Sequence, residues 1–221
     1  MSGRKLIPLF FALIFLFTVI AFADGDKVES AGAFSDSSAS ASVKGALEAD
    51  GYKISLGDGT EVCRIWLSKG LATRAKTDTP GVLFNQIGDS ALVGVISFPN
   101  KTTDYRGQVI KAGSYTLRYA LQPADGNHLG IAPNRDFLLM SPLSLDQDAA
   151  AQFKFEDLVK MSAKSAGTNH PAGLSMISAD AQKTFPAAIQ DDSGHTVFEG
   201  KLKTASGEIA FGLIVKGVAD Q

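Results

Sequence analysis

Three histidines are the side chains best suited to bind a metal ion in this chain of 221 residues. His128, His170 and His195 are flanked by Gly, Asn, Ser or Pro, a context typical of loops and strand ends. Imidazole is the commonest side-chain metal ligand, and loops at one end of a β domain often converge. One hypothesis is therefore a metal site of these histidines with Asp125 or Asp136, although their spacing matches no local metal motif. The alternative is that they are ordinary polar groups of surface loops.

Two aromatic side chains, Trp66 and Tyr105, are the candidates for stacking on a sugar ring. Tyr105 lies beside Arg106 in a predicted loop from residue 100 to 108, and we expect its ring to be exposed. Trp66 lies on the face of a predicted strand opposite Cys63, so it points either to solvent or to a covering element; the alternative is that Trp66 belongs to the core. The predicted ligand-binding residues are Tyr105, Trp66 and Arg106.

The sequence lacks the motifs of several classes of enzyme. It contains no Gly-x-Ser-x-Gly elbow, no phosphate-binding loop and no dinucleotide fingerprint, so we predict no catalytic residue and no cofactor. Asp-rich turns could supply calcium ligands, but turn chemistry alone explains them. Cys63 alternates with Ile65 and Leu67, a pattern that predicts a buried side chain without thiol chemistry.

The first 23 residues have the order of an export signal. Basic Arg4 and Lys5 precede an uncharged stretch from residue 6 to 23, which ends in an Ala-x-Ala tripeptide. That order predicts a secretory signal peptide cleaved after Ala23 and a periplasmic or extracellular protein. The alternative is an uncleaved anchor, because the stretch just reaches the length of a bilayer span. No later stretch is comparably apolar, so we expect no membrane span after signal cleavage.

The remainder divides into a polar segment and one β-rich domain. Residues 24–45 are rich in Ser, Ala, Gly and Asp, and such a composition buries too little surface to offset its ordering entropy, which predicts a flexible linker. From residue 46 to 221, short β-rich runs alternate with turn residues. Phe155, Leu158 and Val159 follow helical spacing, so we expect one helical insertion near residues 146–166.

The connections between predicted strands decide the fold class. Most are turns of two to five residues, without a strand–helix–strand rhythm. This favours a mainly β protein, an antiparallel β-sandwich of immunoglobulin-like or jelly-roll-like type, with a closed barrel as the alternative.

One hairpin adds a resemblance to this expectation. The segment Val-Ile-x-Ala-Gly-x-Tyr-Thr-Leu, which ends at Leu117, resembles the A-G-x-Y-x-L hairpin of secreted bacterial β-sandwich modules such as prealbumin-like and carboxypeptidase-regulatory-like domains. The resemblance implies a sandwich in which Gly113 supplies the turn and Tyr115 and Leu117 fill the core. It covers a short segment and carries over no catalytic residue.

Composition excludes several function classes. With 21 basic and 23 acidic residues, the chain lacks the basic excess of a nucleic-acid-binding protein, so we expect no nucleic-acid partner. A single Cys excludes a disulfide or zinc–cysteine scaffold. We favour a non-catalytic binding or interaction module of the cell envelope, with an unknown protein or glycan as its ligand. The alternatives are a structural or assembly subunit of an envelope complex, and an unrecognised hydrolase or metal-binding protein that uses the loop histidines.

Overall fold

The computed structural model describes residues 25–125, 132–180 and 184–219. Strands dominate the described residues, so the prediction of a mainly β protein is confirmed. The strands are β1 (Lys27–Gly32), β2 (Gly51–Ser55), β3 (Glu61–Leu67), β4 (Leu92–Phe98), β5 (Thr102–Thr103), β6 (Val109–Ile110), β7 (Gly113–Leu121), β8 (Asp136–Pro142), β9 (Gly173–Ile177), β10 (Ala187–Gln190), β11 (Thr196–Thr204) and β12 (Gly207–Lys216). The helices are α1 (Ala41–Ala46) and α2 (Phe155–Ala166).

Ten strands form one antiparallel sheet rather than two stacked sheets. The strand order is β1-β2-β3-β4-β7-β8-β9-β12-β11-β10, and β5 and β6 form a separate small ladder. The edge strands β1 and β10 approach each other, so the sheet is nearly closed into a barrel-like shape and the predicted sandwich is not confirmed. Shifts of register in β1, β2, β4 and β11 accompany this curvature, because bulges bend and twist strands.

The inner face of the curved sheet holds the main hydrophobic core. Tyr115, Leu117 and Tyr119 alternate along β7 with their side chains in this core. Tyr115 and Leu117 fill the core as the resemblance implies, but the hairpin is absent, because β6 pairs with β5 whereas β7 pairs with β4 and β8. Gly113 is the first residue of β7, with φ at 141°. Cys63 is fully buried in the same core, as predicted, and burial raises the pKa of its thiol. No family relationship follows from this segment.

Helix α2 covers part of the outer face of the sheet. It packs mainly against β8 and ends at Gly167, which adopts the left-handed conformation of a helix C-cap. The Ser162 hydroxyl donates to the Ala172 carbonyl, and the Ser165 hydroxyl donates to the Met140 carbonyl. The predicted helical insertion is thus present but begins at Phe155, because the preceding residues form a loop instead. Within the described residues, no helix is long and apolar enough to cross a bilayer.

The segment predicted to be a flexible linker is ordered from residue 27 onward, so that prediction is corrected. It forms β1 and α1, and Val43 and Ala39 pack on the outer face of the sheet. Its serines act as hydrogen-bonding groups: the Ser40 hydroxyl accepts from the Val43 N–H as the N-cap of α1, and the Ser42 hydroxyl accepts from the Ala149 N–H. Hydrogen bonds to the loop at residues 147–149 therefore help to hold this segment on the sheet, although it has little apolar surface.

Candidate functional site

A cleft of about 350 Å³ lies between helix α2 and the outer face of strands β7 and β8. We call it the α2 cleft. Its volume lies at the small end of the range of ligand pockets, which runs from about 300 to 1,000 Å³. The apolar part of its lining is formed by Ala120, Leu121, Pro123, Phe137, Leu139, Phe155, Val159, Pro171 and Gly173. The polar part is formed by Arg106, Gln122, Asn169 and His170.

The walls of the cleft come from outward-facing positions of two paired strands. Ala120 on β7 pairs with Phe137 on β8, and Leu139 follows two residues later on the same face. Phe155 stands in the first turn of α2, and its side chain is 41% exposed. Strand β8 is apolar on both faces, which indicates that both are covered, and this signal could have located the cleft in the sequence.

The mouth of the cleft carries two basic side chains. Arg106 and His170 are both exposed, and they belong to loops that lie far apart in the sequence. The Arg106 guanidinium makes no hydrogen bond or ion pair with any residue in the described part of the chain. Among the described residues, no carboxylate lines the cleft. The site therefore combines an apolar body with a positive mouth.

A buried carboxylate, Asp104, fixes the loop that carries Arg106. One of its oxygens accepts the backbone N–H groups of Arg106, at 3.0 Å, and Gln108, at 2.8 Å. The other accepts the side-chain amide of Gln108 at 2.8 Å and the N–H of Gly173 at 3.2 Å. Burial raises the pKa of Asp104 above its ordinary value, although these hydrogen bonds oppose the shift.

The same network reaches the loop that carries His170. The side-chain amide of Gln108 also donates to the carbonyl of Pro171 at 2.9 Å, and its oxygen accepts the hydroxyl of Thr168. The Thr168 hydroxyl accepts the backbone N–H of His170 at 3.1 Å. Both loops at the mouth are thus held by one set of hydrogen bonds, which orders them before any ligand binds.

The two predicted sugar-stacking rings are buried. Tyr105 is 5% exposed, so the expectation that its ring is exposed is wrong; it packs against Phe137, at 6.2 Å between ring centroids, and against His195, at 5.8 Å. Trp66 is also 5% exposed and donates from Nε1 to the Gly32 carbonyl at 2.8 Å, which agrees with the alternative that it is a core residue. Neither ring offers a free face to a sugar. Arg106 is the member of the predicted ligand set that lines the α2 cleft, whereas Tyr105 and Trp66 line other cavities of about 650 and 340 Å³.

The predicted metal ligands do not form a described cluster. His170 lines the α2 cleft, whereas His195 lines a different cavity of about 650 Å³, and His128 lies outside the described residues. The Asp136 carboxylate accepts the N–H groups of Leu83 and Phe84 and the Tyr119 hydroxyl, so its role is to hold a loop on the sheet. In the part of the chain that is described, no three His, Cys, Asp or Glu side chains are placed to share a metal ion.

The buried His195 and the half-buried Asp191 form a pair that resembles part of a catalytic triad. The Nδ1 atom of His195 lies 2.8 Å from Asp191 Oδ2, while Nε2 lies 2.9 Å from the Val218 carbonyl oxygen. Burial opposes the ionisation of Asp191, but hydrogen bonds from the His195 N–H and ring outweigh it and lower the pKa of Asp191. A backbone carbonyl, not a serine hydroxyl, faces Nε2, so the pair anchors the C-terminal residues rather than activating a nucleophile.

A fully buried charge pair joins Arg118 on β7 to Asp146. The Arg118 Nε and Nη2 atoms lie 2.6 and 2.8 Å from the two carboxylate oxygens of Asp146. The remaining three N–H groups donate to the carbonyls of Ser90, Ala151 and Asp148. All five guanidinium donors are therefore used, and this cluster is structural.

Comparison with known proteins finds no matching family, no similar curated protein and no similar solved structure. The functional conclusion therefore depends on the geometry of the α2 cleft. The sequence pointed to Arg106 and His170 but not to their shared cleft, because the contact between their loops depends on Asp104 and Gln108.

Proposed function

We propose that this protein is a non-catalytic binding module of the cell envelope or exterior, and that the α2 cleft holds its ligand. The observation that carries this proposal is an apolar cleft of about 350 Å³ whose mouth is ordered by a buried carboxylate. A ligand with an apolar body gains about 25 cal/mol for each Å² of apolar surface that it buries there. The part of the proposal that places the protein outside the cytoplasm is supported by the sequence of residues 1–23 alone.

The residues that line the cleft support binding rather than catalysis. Among the described residues, the lining includes no Ser, Thr, Cys, Tyr, Asp or Glu side chain. Nucleophilic and acid–base catalysis both need such groups within hydrogen-bond reach of the reacting atoms. His170 alone has neither a nucleophile nor an orienting carboxylate in the lining. The cleft is suited to hold a small molecule without changing it.

The shape of the site also favours a small ligand over a glycan. Sugar binding by stacking needs an exposed aromatic face, and the Tyr105 and Trp66 rings are packed inside the protein. The exposed aromatic ring at the cleft is Phe155, and most of the residues that line the cleft with it are apolar. An apolar molecule matches these neighbours better than a polyhydroxylated one.

The test is the binding of a neutral apolar fluorescent probe, N-phenyl-1-naphthylamine, to residues 24–221. We expect saturable binding to the native chain and an affinity about tenfold lower for Phe155→Ser, because the change removes one apolar wall. The matched control is Leu145→Ser, which removes an even more exposed apolar side chain (52% against 41%) that does not line the cleft. Equal affinities for the two variants, or no saturable binding by the native chain, would contradict the proposal.

A further inference from the structure

We infer that the ligand is an apolar monocarboxylic acid whose carboxylate pairs with Arg106 at the mouth of the α2 cleft. This inference rests on the proposed function and names the chemical class of the ligand. It follows from the charge of the lining, the hydrogen bonding of the arginines and the geometry of the guanidinium group.

Arg106 differs from every other arginine in the described residues. Arg64 pairs with Glu61, Arg74 with Asp89 and Arg118 with Asp146. The Nε atom of Arg135 donates to a backbone carbonyl at 2.8 Å. Arg106 alone, within that part of the chain, has a guanidinium group with no hydrogen bond or ion pair. Its five donors are available to a ligand.

Hydrogen bonds fix the backbone of Arg106, although its guanidinium group has no partner among the described residues. Its backbone N–H donates to the buried Asp104 carboxylate, and the preceding residue, Tyr105, donates its N–H to the Gly173 carbonyl at 3.0 Å. The Tyr105 carbonyl in turn accepts the Ala219 N–H at 2.8 Å. The backbone of Arg106 and its neighbour is therefore ordered by hydrogen bonds to Asp104, Gly173 and Ala219. An exposed arginine with no binding role would not need such an ordered backbone.

The number of charges at the mouth favours a monoanion. A guanidinium group binds one carboxylate with two parallel hydrogen bonds, which makes it the best match for a planar monoanionic head. Within residues 25–125, 132–180 and 184–219, the lining contains one arginine and no lysine, so this part of the chain does not supply the cluster of cations that a dianionic phosphate ester would need for full pairing. Asn169 and His170 lie on the same lining and can donate to a carboxylate oxygen.

The test compares two ligands with the same ten-carbon chain, decanoate and 1-decanol, as competitors of the neutral probe at low ionic strength. We expect the native chain to bind decanoate about tenfold more tightly than decanol. Arg106→Gln should remove most of this preference, because it weakens the binding of decanoate far more than the binding of decanol. The control, Lys101→Gln, makes the same change of charge at an exposed residue outside the cleft, and it should leave the preference intact.

The outcomes separate the ligand class from the proposed function. If decanol and decanoate bind equally well, or if Arg106→Gln keeps the preference, the carboxylate inference is wrong while binding in the cleft stands. Decyl sulfate binding as tightly as decanoate would also overturn it, since the pairing would then not depend on a planar head. Decylammonium binding more tightly than decanoate would overturn it as well. If neither decanol nor decanoate displaces the probe, the inference fails, and the proposed function fails with it if the native chain does not bind the probe saturably.

Discussion

Two neighbouring regions on the outer face of β7 differ in the hydrogen bonding of their arginine side chains. Around Arg118 the loop from residue 143 to 153 covers the strand, and every guanidinium donor has a protein acceptor. Two residues further along the same face, Ala120 opens into the α2 cleft, and Arg106 at its mouth has no partner among the described residues. The completed hydrogen bonds of Arg118 indicate a structural role, whereas the ordered but unpaired guanidinium of Arg106 is where we propose that a ligand binds.

The largest effect is expected from Arg118→Met. The change leaves Asp146 as a buried carboxylate without its cation, which costs about 3–5 kcal/mol in the free energy of unfolding. Urea denaturation of the variant and the native chain measures the difference. The double variant Arg118→Met/Asp146→Leu should recover part of the loss, because it removes the unpaired charge. A loss below 1 kcal/mol for the single variant would show that the two regions do not differ as described.

A smaller loss is expected from Trp66→Phe, which tests how the N-terminal segment closes its side of the sheet. The change removes the hydrogen bond to Gly32 and part of the packing against Phe34, at a cost of about 1–2 kcal/mol. Thermal unfolding provides the measurement, with Phe155→Leu at the open cleft as the control. Equal melting temperatures for Trp66→Phe and the native chain would mean that residues 27–46 do not pack on the sheet.

Two aspartates should show opposite dependence on pH. Burial raises the folded-state pKa of Asp104, so its contribution to stability is fully present below its unfolded value of about 4 and is lost as the pH rises through the folded value. Hydrogen bonds from His195 outweigh burial and lower the pKa of Asp191, so its contribution is present above about 4 and is lost as the pH falls through the folded value.

Urea denaturation at pH 3.5 and pH 7 can therefore separate the two roles. We expect Asp104→Asn to cost more stability at pH 3.5 than at pH 7, and Asp191→Asn to cost more at pH 7 than at pH 3.5. The same pH trend in both variants would contradict the conclusion that burial raises the pKa of Asp104 in the folded protein.

The smallest effect on stability is expected from Arg106→Gln. Because its guanidinium is exposed and unpaired in the described structure, the free energy of unfolding should change by less than about 0.5 kcal/mol. Calorimetry of the ligand-free variant checks this value. A loss comparable to that of Arg118→Met would place Arg106 in the structural class and remove the contrast between the two regions.

The sequence predicted the local features that depend on periodicity and failed where distant segments meet. Alternation identified the β-rich character and the burial of Cys63, and helical spacing identified α2. Alternation shows that one face of a strand is buried, but it does not show whether the sheet curls on itself or stacks on a second sheet. The single curved sheet therefore could not be told from a sandwich.

Two further differences have the same cause. The serines of residues 35–42 lack apolar surface, yet Ser40 and Ser42 reach hydrogen-bond partners in the loop at residues 147–149, more than 100 residues away. Tyr105 occurs among polar neighbours, yet the C-terminal residues and β8 enclose it. Arg106 and His170 could be named from the sequence as candidates, but the cleft that they share exists only after their loops meet through Gln108.

The most direct test of the α2 cleft is a titration of the isotope-labelled protein, residues 24–221, with decanoate, followed by the backbone amide signals in heteronuclear NMR spectra. We expect the largest shifts on amides of the cleft, at Arg106, Ala120, Leu121, His170 and Gly173, with small changes at Arg118 and Gly32. Shifts concentrated around His195 and Asp191, or no saturable shifts, would contradict this expectation.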